Sequence, residues 1–75
     1  MVKVLYFGIA QDITGSVSEE FEAQDTASLC RKIMDRHPDL GKIRFRLALN
    51  KVLLKGESAL QSNDIVAVLP PFAGG

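Results

Sequence analysis

The sequence predicts an α+β domain, a single mixed sheet with one main helix packed on one face. Three observations predict it. The order of patterned segments reads strand, strand, helix, strand, short strand, strand. The helix between the first hairpin and the later strands has one apolar face to bury, and that face packs most simply across one side of a sheet. The first and last strands are the most apolar, as expected of strands lying side by side in the middle.

Val2 to Phe7 is rich in β-branched and aromatic residues and stops at Gly8, which makes it a strand with Val2, Val4 and Tyr6 on one face and Leu5 and Phe7 on the other. Apolar residues on both faces imply a central strand, or one whose second face meets another protein. Ile9 to Ile13 fits one helical turn closed by Gly15, since glycine tolerates positive φ. Ser16 to Glu22 sets Val17, Glu19 and Phe21 opposite Ser18, Glu20 and Glu22, the alternation of a half-solvated strand near an edge that pairs with the first as a hairpin.

Asp25 or Thr26 caps a helix whose Leu29, Cys30, Ile33, Met34 and His37 recur at helical spacing, with Arg31, Lys32, Asp35 and Arg36 facing water. Pro38 ends it, because the residue before a proline disfavours the helical region. Asp39 to Lys42 reads as a connection. Phe45, Leu47 and Leu49 alternate with Arg46 and Ala48 in a third strand, which reaches a turn at Asn50-Lys51 and returns over Val52 to Leu54. Lys55 to Asn63 is a polar loop pinned by Leu60, Asp64 fits the turn that follows, and Ile65 to Leu69 is continuously apolar, as a buried central strand should be. If the helical crossover joins parallel strands, this order is the β-grasp, or ubiquitin-like, arrangement.

Composition narrows the function. The chain has 75 residues and 47% hydrophobic content, one domain near the lower size limit for a self-sufficient core. Nine basic residues balance nine acidic ones with no long cationic run, which argues against nucleic-acid binding. The longest wholly apolar run is far below the roughly 20 residues that span a bilayer, so no membrane partner is expected. One cysteine closes off an internal disulfide and agrees with a reducing, cytoplasmic setting. Ligand clusters for a metal are absent from the sequence.

The C-terminus carries the chemistry. Pro70-Pro71 bars helix or sheet continuation and holds an extended exit, so residues 70–75 form a flexible tail ending Phe72-Ala73-Gly74-Gly75. A frayed end is one reading of two terminal glycines. The other is a bare carboxylate, free of neighbouring side chains, that can enter a narrow tunnel in a partner. A carboxylate is a poor electrophile, so it needs adenylation by a partner enzyme. Sulfur attack would then give a thiocarboxylate, and amine attack an isopeptide bond.

Other residues carry two readings each. Leu5, Phe7 and Phe72 are core or a docking patch on the helix-free face. Cys30, within the apolar stripe, reads as an inert buried thiol rather than a nucleophile. His37 suits a helix C-terminus structurally.

Across Val2-Lys3-Val4-Leu5-Tyr6-Phe7, Gly15, Thr26 with Leu29, Ala48-Leu49-Asn50, Asn63-Asp64-Ile65-Val66-Ala67 and the tail from Pro70 to Gly75, the chain resembles the MoaD/ThiS family of sulfur carriers, in its molybdopterin-synthase branch. The resemblance implies a subunit without catalysis of its own. An E1-like enzyme uses ATP to adenylate Gly75, a thiocarboxylate is installed there, and the tail enters the large molybdopterin synthase subunit to deliver sulfur to a pyranopterin precursor. A heterotetramer is the implied assembly, no cofactor is bound by the chain itself, and Phe7, Pro70, Pro71, Phe72 and Ala73 are the implied partner contacts, with Gly74 and Gly75 at the reacting end. A thiamine-type carrier and a protein modifier conjugated through Gly75 are the alternatives, and the double proline argues against the first. Gln11-Asp12, where relatives often carry an Arg-Glu pair, and Val52, where a glutamate is common, depart from the family pattern.

Overall fold

The structure, a computed structural model, describes residues 1–70. Its elements in chain order are β1 (Val2–Tyr6), α1 (Ile9–Thr14), β2 (Ser18–Phe21), α2 (Thr26–Arg36), a 3-10 helix (Pro38–Lys42), β3 (Arg46–Leu49), β4 (Val52–Leu53) and β5 (Ile65–Leu69). They form one five-stranded sheet in the order β2-β1-β5-β3-β4. β1 and β5 run parallel, with Val4 beside Val66 and Tyr6 beside Val68, and the other neighbours are antiparallel. This is the mixed β-grasp sheet read from the sequence, with the first and last strands adjacent.

Alternation along β1 decides where the core sits. Val2, Val4 and Tyr6 are buried on one face together with Phe21, Val66 and Val68, and α2 covers them with Leu29 and Ile33. Asp25 caps α2, its carboxylate accepting the Ser28 N–H at 2.8 Å. Gly15 closes α1 in the left-handed conformation at φ 71°, the role its position predicts. Asn50 and Lys51 both take positive φ, 48° and 75°, which is the geometry of a tight hairpin turn between β3 and β4. The Asn50 side chain locks that turn to the start of β5, accepting the Ile65 N–H at 2.9 Å and donating to Asp64.

The 55–63 loop is anchored by Leu60, which joins the core, and by a short backbone pairing in which Leu60 N–H donates to the Gln24 carbonyl at 2.8 Å and Thr26 N–H to the Ser58 carbonyl at 2.9 Å.

Three expectations change. The segment from Asp39 to Lys42 is a 3-10 helix rather than a bare connection. Pro38 starts it with its fixed φ, and Leu40, fully buried, gives it an apolar anchor. β2 is shorter than residues 16–22. Val17 still accepts the Tyr6 N–H through its carbonyl, but it lies beyond the covered part of the sheet and its side chain is exposed. β5 is not buried on both faces: Val66 and Val68 are inaccessible, whereas Ile65 is 42% exposed, because α2 covers only one side of the sheet.

Candidate functional site: the tail root and the open sheet face

The candidate site begins where β5 delivers the chain to Pro70. Pro71, Phe72, Ala73, Gly74 and Gly75, five of the seven residues marked by the sequence, lie outside the described residues. The other two, Phe7 and Pro70, are described, and the parallel pairing of β1 with β5 brings them to the same end of the sheet. Phe7 N–H donates to the Val68 carbonyl at 3.1 Å, extending the β1–β5 ladder by one step, and its ring is 44% exposed on the helix-free face.

Gly8 holds this corner. Its backbone lies at φ 58° and ψ −132°, a region that L side chains avoid. A Cβ built there would sit 3.1 Å from Cγ of Pro70, so the tail root passes directly over the bare α-carbon of Gly8. Gly8→Ala is therefore expected to destabilise the fold by about 1 to 3 kcal/mol in chemical denaturation, through combined backbone strain and displacement of Pro70. An unchanged midpoint would contradict this reading.

Behind Phe7 the helix-free face carries an apolar row that crosses the sheet. Cross-strand register places Leu5 beside Ala67, Ala67 beside Ala48, and Ala48 beside Leu53. The small side chains of Ala67 and Ala48 make the centre shallow, and Leu53 stands 39% exposed at one edge. Such a row fits a partner surface that covers it, with β5 ending two residues beyond Ala67.

On the other face a polar group links β1, β2 and α2. One oxygen of Glu19, Oε1, accepts the Tyr6 hydroxyl at 2.8 Å and meets His37 Nε2 at 2.7 Å. Its partner Oε2 lies 3.7 Å from the Arg36 guanidinium, which also stacks over the Phe21 ring at 4.5 Å. The edge of the Tyr6 ring meets His37 in a T-shaped contact. Partial burial alone would raise the Glu19 pKa. The hydrogen bonds from His37 and Tyr6 and the charges of His37 and Arg36 outweigh it and hold the carboxyl below its ordinary range. Burial, followed by the Glu19 carboxylate, pushes the Tyr6 phenol well above its usual value.

A folded pKa below the unfolded one stabilises the protein above the ordinary carboxylate range, and that contribution disappears as pH falls through the range to the folded value. Thermal melts from about pH 6 to about pH 3 are thus expected to show a steeper loss of stability for the native chain than for Glu19→Gln. Glu19→Ala, which removes the acceptor of both Tyr6 and His37, is expected to cost about 2 kcal/mol at neutral pH. Parallel pH profiles for the native chain and Glu19→Gln would contradict the assignment. His37 thus takes the structural role expected of it, capping α2 at its C-terminal end.

Cys30 is half-buried, and burial followed by the nearby Glu57 carboxylate pushes its thiol up, so it stays protonated at neutral pH. Among the described residues no group of three or more His, Cys, Asp or Glu gathers that could hold a metal ion. No described helix is long and apolar enough to cross a membrane. Sequence reasoning named Phe7 and Pro70 as candidates and read Gly8 only as the end of a strand. The Gly8–Pro70 contact spans the length of the chain, and only a β1–β5 pairing in register could have revealed it.

Comparison with known proteins places this geometry among relatives. The family model described as the ThiS family matches residues 4–75. A Chlamydomonas reinhardtii protein named molybdopterin synthase sulfur carrier subunit is 33% identical over 81 residues, covering 99% of this chain and 98% of that protein. A human protein of the same name is 36% identical over 85 residues, covering 99% and 93%. Among solved structures, a Helicobacter pylori complex of subunits 1 and 2 of molybdopterin-converting factor matches with a TM-score of 0.74 and 27% identity, over 99% of this chain and 97% of that one. The small archaeal modifier protein 1 of Methanosarcina acetivorans shares the fold with a TM-score of 0.87 at 21% identity, over 99% and 95%.

Proposed function

Because this chain belongs to the ThiS family, we propose that it is the sulfur-carrier subunit of a molybdopterin synthase, acting through the carboxylate of Gly75. The observation that carries the proposal is the extent of the relationship: proteins named for that role align with 99% of the chain. The geometry supports it, since β5 runs out against Gly8 at the edge of an open apolar face, where a docked partner would meet the tail.

In this reading the scaffold supplies position and the tail supplies the reacting atom. An E1-like enzyme presents ATP, the Gly75 carboxylate attacks its α-phosphate, and pyrophosphate leaves. Sulfur at the hydrosulfide level then adds to the acyl carbon and AMP departs, exchanging a C–O for a C–S bond with no net oxidation. On the large synthase subunit the sulfur passes to a pyranopterin precursor, and an oxygen from water restores the carboxylate. Five residues beyond Pro70 can reach at most about 18 Å, which sets the depth of the tunnel the tail can serve. The docking contacts are Phe7 with Pro70, Pro71, Phe72 and Ala73, the setting is cytoplasmic, and the assembly is a heterotetramer with the large subunit.

Incubation with the cognate activating enzyme, ATP and a sulfur donor, followed by intact mass, tests the proposal. An oxygen-to-sulfur exchange localised to Gly75 is expected, and no exchange under conditions that adenylate the chain would overturn it. Branched peptides joining Gly75 to lysines in cell digests would point to the modifier class, and productive binding to a thiazole-forming synthase to the thiamine branch.

A further inference from the structure

The chain is neutral overall, yet its charges are unevenly distributed along the sequence. Between Lys3 and Arg31 there is no lysine or arginine, and the charged residues are Asp12, Glu19, Glu20, Glu22 and Asp25. Between Asp39 and Glu57 there is no acid, and the charged residues are Lys42, Arg44, Arg46, Lys51 and Lys55. The strand order β2-β1-β5-β3-β4 keeps Glu19 and Glu20 of β2 apart from Arg46 of β3 and from Lys51 in the β3–β4 turn. Strand spacing puts β2 and β3 about 14 Å apart.

The two ends are available to a partner in different degrees. On the β2 side the acids have cationic neighbours: Glu19 meets His37 and Arg36, Glu20 stands opposite Lys3 across the β1–β2 ladder, and Lys32 and Arg36 line the same surface as Glu20 and Glu22. On the basic side, Lys42 pairs with Asp39 at 3.3 Å. Arg44, Arg46, Lys51 and Lys55 are exposed, and among the described residues none has a carboxylate within 4.0 Å. Arg46 is the cross-strand partner of Leu69, so it shares the helix-free face with the last residue of β5. The tail root is thus flanked by Phe7 on the β1 side and by Arg46 on the β3 side.

We infer that this exposed basic edge orients the chain on its partner, with Arg44 and Arg46 engaging carboxylates beside the opening that receives the tail. The surface it fits is a protein face with an apolar centre for the Leu5–Ala67–Ala48 row and acidic residues where β3 and β4 land. A chain with no net charge gains little from overall attraction. A basic edge on one side of the apolar row selects one of the rotational settings in which that row could be covered, and the selection raises the fraction of encounters that seat the tail. With a Debye length of about 8 Å at physiological salt, the effect acts within the encounter complex and fades as salt rises.

The inference rests on the carrier reading and names the partner surface for it. The test is stopped-flow association with the cognate large synthase subunit across ionic strength, alongside intact-mass measurement of sulfur uptake. Arg46→Glu is expected to slow association about tenfold at low salt and to flatten its salt dependence, with dissociation and melting temperature little changed. Arg31→Glu makes the same charge change on the exposed side of α2 and is expected to associate as the native chain does. Equal slowing by both variants, or no slowing by Arg46→Glu, overturns the inference while leaving the carrier reading intact if Gly75 still takes up sulfur. A native chain that takes up no sulfur ends the carrier reading, and failure of the native chain to bind the large subunit ends the oriented docking as well.

Discussion

A chain truncated after Ala73 is expected to fold and melt as the full chain does while accepting no sulfur from the activating system. Every buried apolar residue of the described core lies between Val2 and Val68, and none of them is removed with Gly74 and Gly75. The polar interlocks that fix the sheet, Asn50 with Asp64 and Glu19 with Tyr6 and His37, likewise involve no residue of the tail. The reaction is lost outright because the acyl carbon that must be adenylated is no longer at the position the partner reads, and no side chain substitutes for it. Circular dichroism melts and intact mass on the same sample separate the two effects. Retention of sulfur uptake by the truncated chain would end the proposal, and a large fall in melting temperature would show that the tail serves the fold.

The second large effect is expected at Phe7. Phe7→Ala should leave the isolated chain within about 1 kcal/mol of native stability, because nearly half of the ring is already in water, while weakening binding to the large synthase subunit by about thirtyfold or more. In the proposed docking, a ring half-exposed in the free protein and beside the root of the tail buries most of its remaining area when the partner arrives. Isothermal titration of the native and variant chains reads the difference directly. A variant that binds normally but melts far lower would assign Phe7 to the core instead. Gly8→Ala, by contrast, should disturb folding and tail direction together, since strain and the approach of Pro70 occur at one α-carbon.

Local pattern was sufficient for most of the fold. The alternation of Val2, Val4 and Tyr6, the helical spacing of Leu29 and Ile33, the cap at Asp25, one of the two residues the pattern offered, the left-handed Gly15 and the Asn50-Lys51 turn are all decided within a few residues of chain. Leu60 was legible as an anchor because it is an apolar residue alone in a polar loop. The 3-10 helix after Pro38 was not, since Leu40 draws its stability from contacts with distant residues rather than from its neighbours in sequence. The apolar run of β5 misled in one respect. Five consecutive apolar residues imply burial on both faces, yet a strand intended for a partner has the same composition as one sealed inside its own fold.

The proposed reactive end likewise rests on the sequence, on two prolines and, after Phe72 and Ala73, two glycines, because the proposed chemistry needs only a backbone carboxylate and an absence of side chains. What the linear order could not decide was everything set by pairing between remote segments. The parallel match of β1 with β5 sets Phe7 and Gly8 against the tail root, and together with the antiparallel pairs of β3 it joins Leu5, Ala67, Ala48 and Leu53 into one row with Arg46 two residues along β3. These are consequences of strand order, and strand order is fixed by the collective burial of one sheet face beneath α2 rather than by any short stretch of residues.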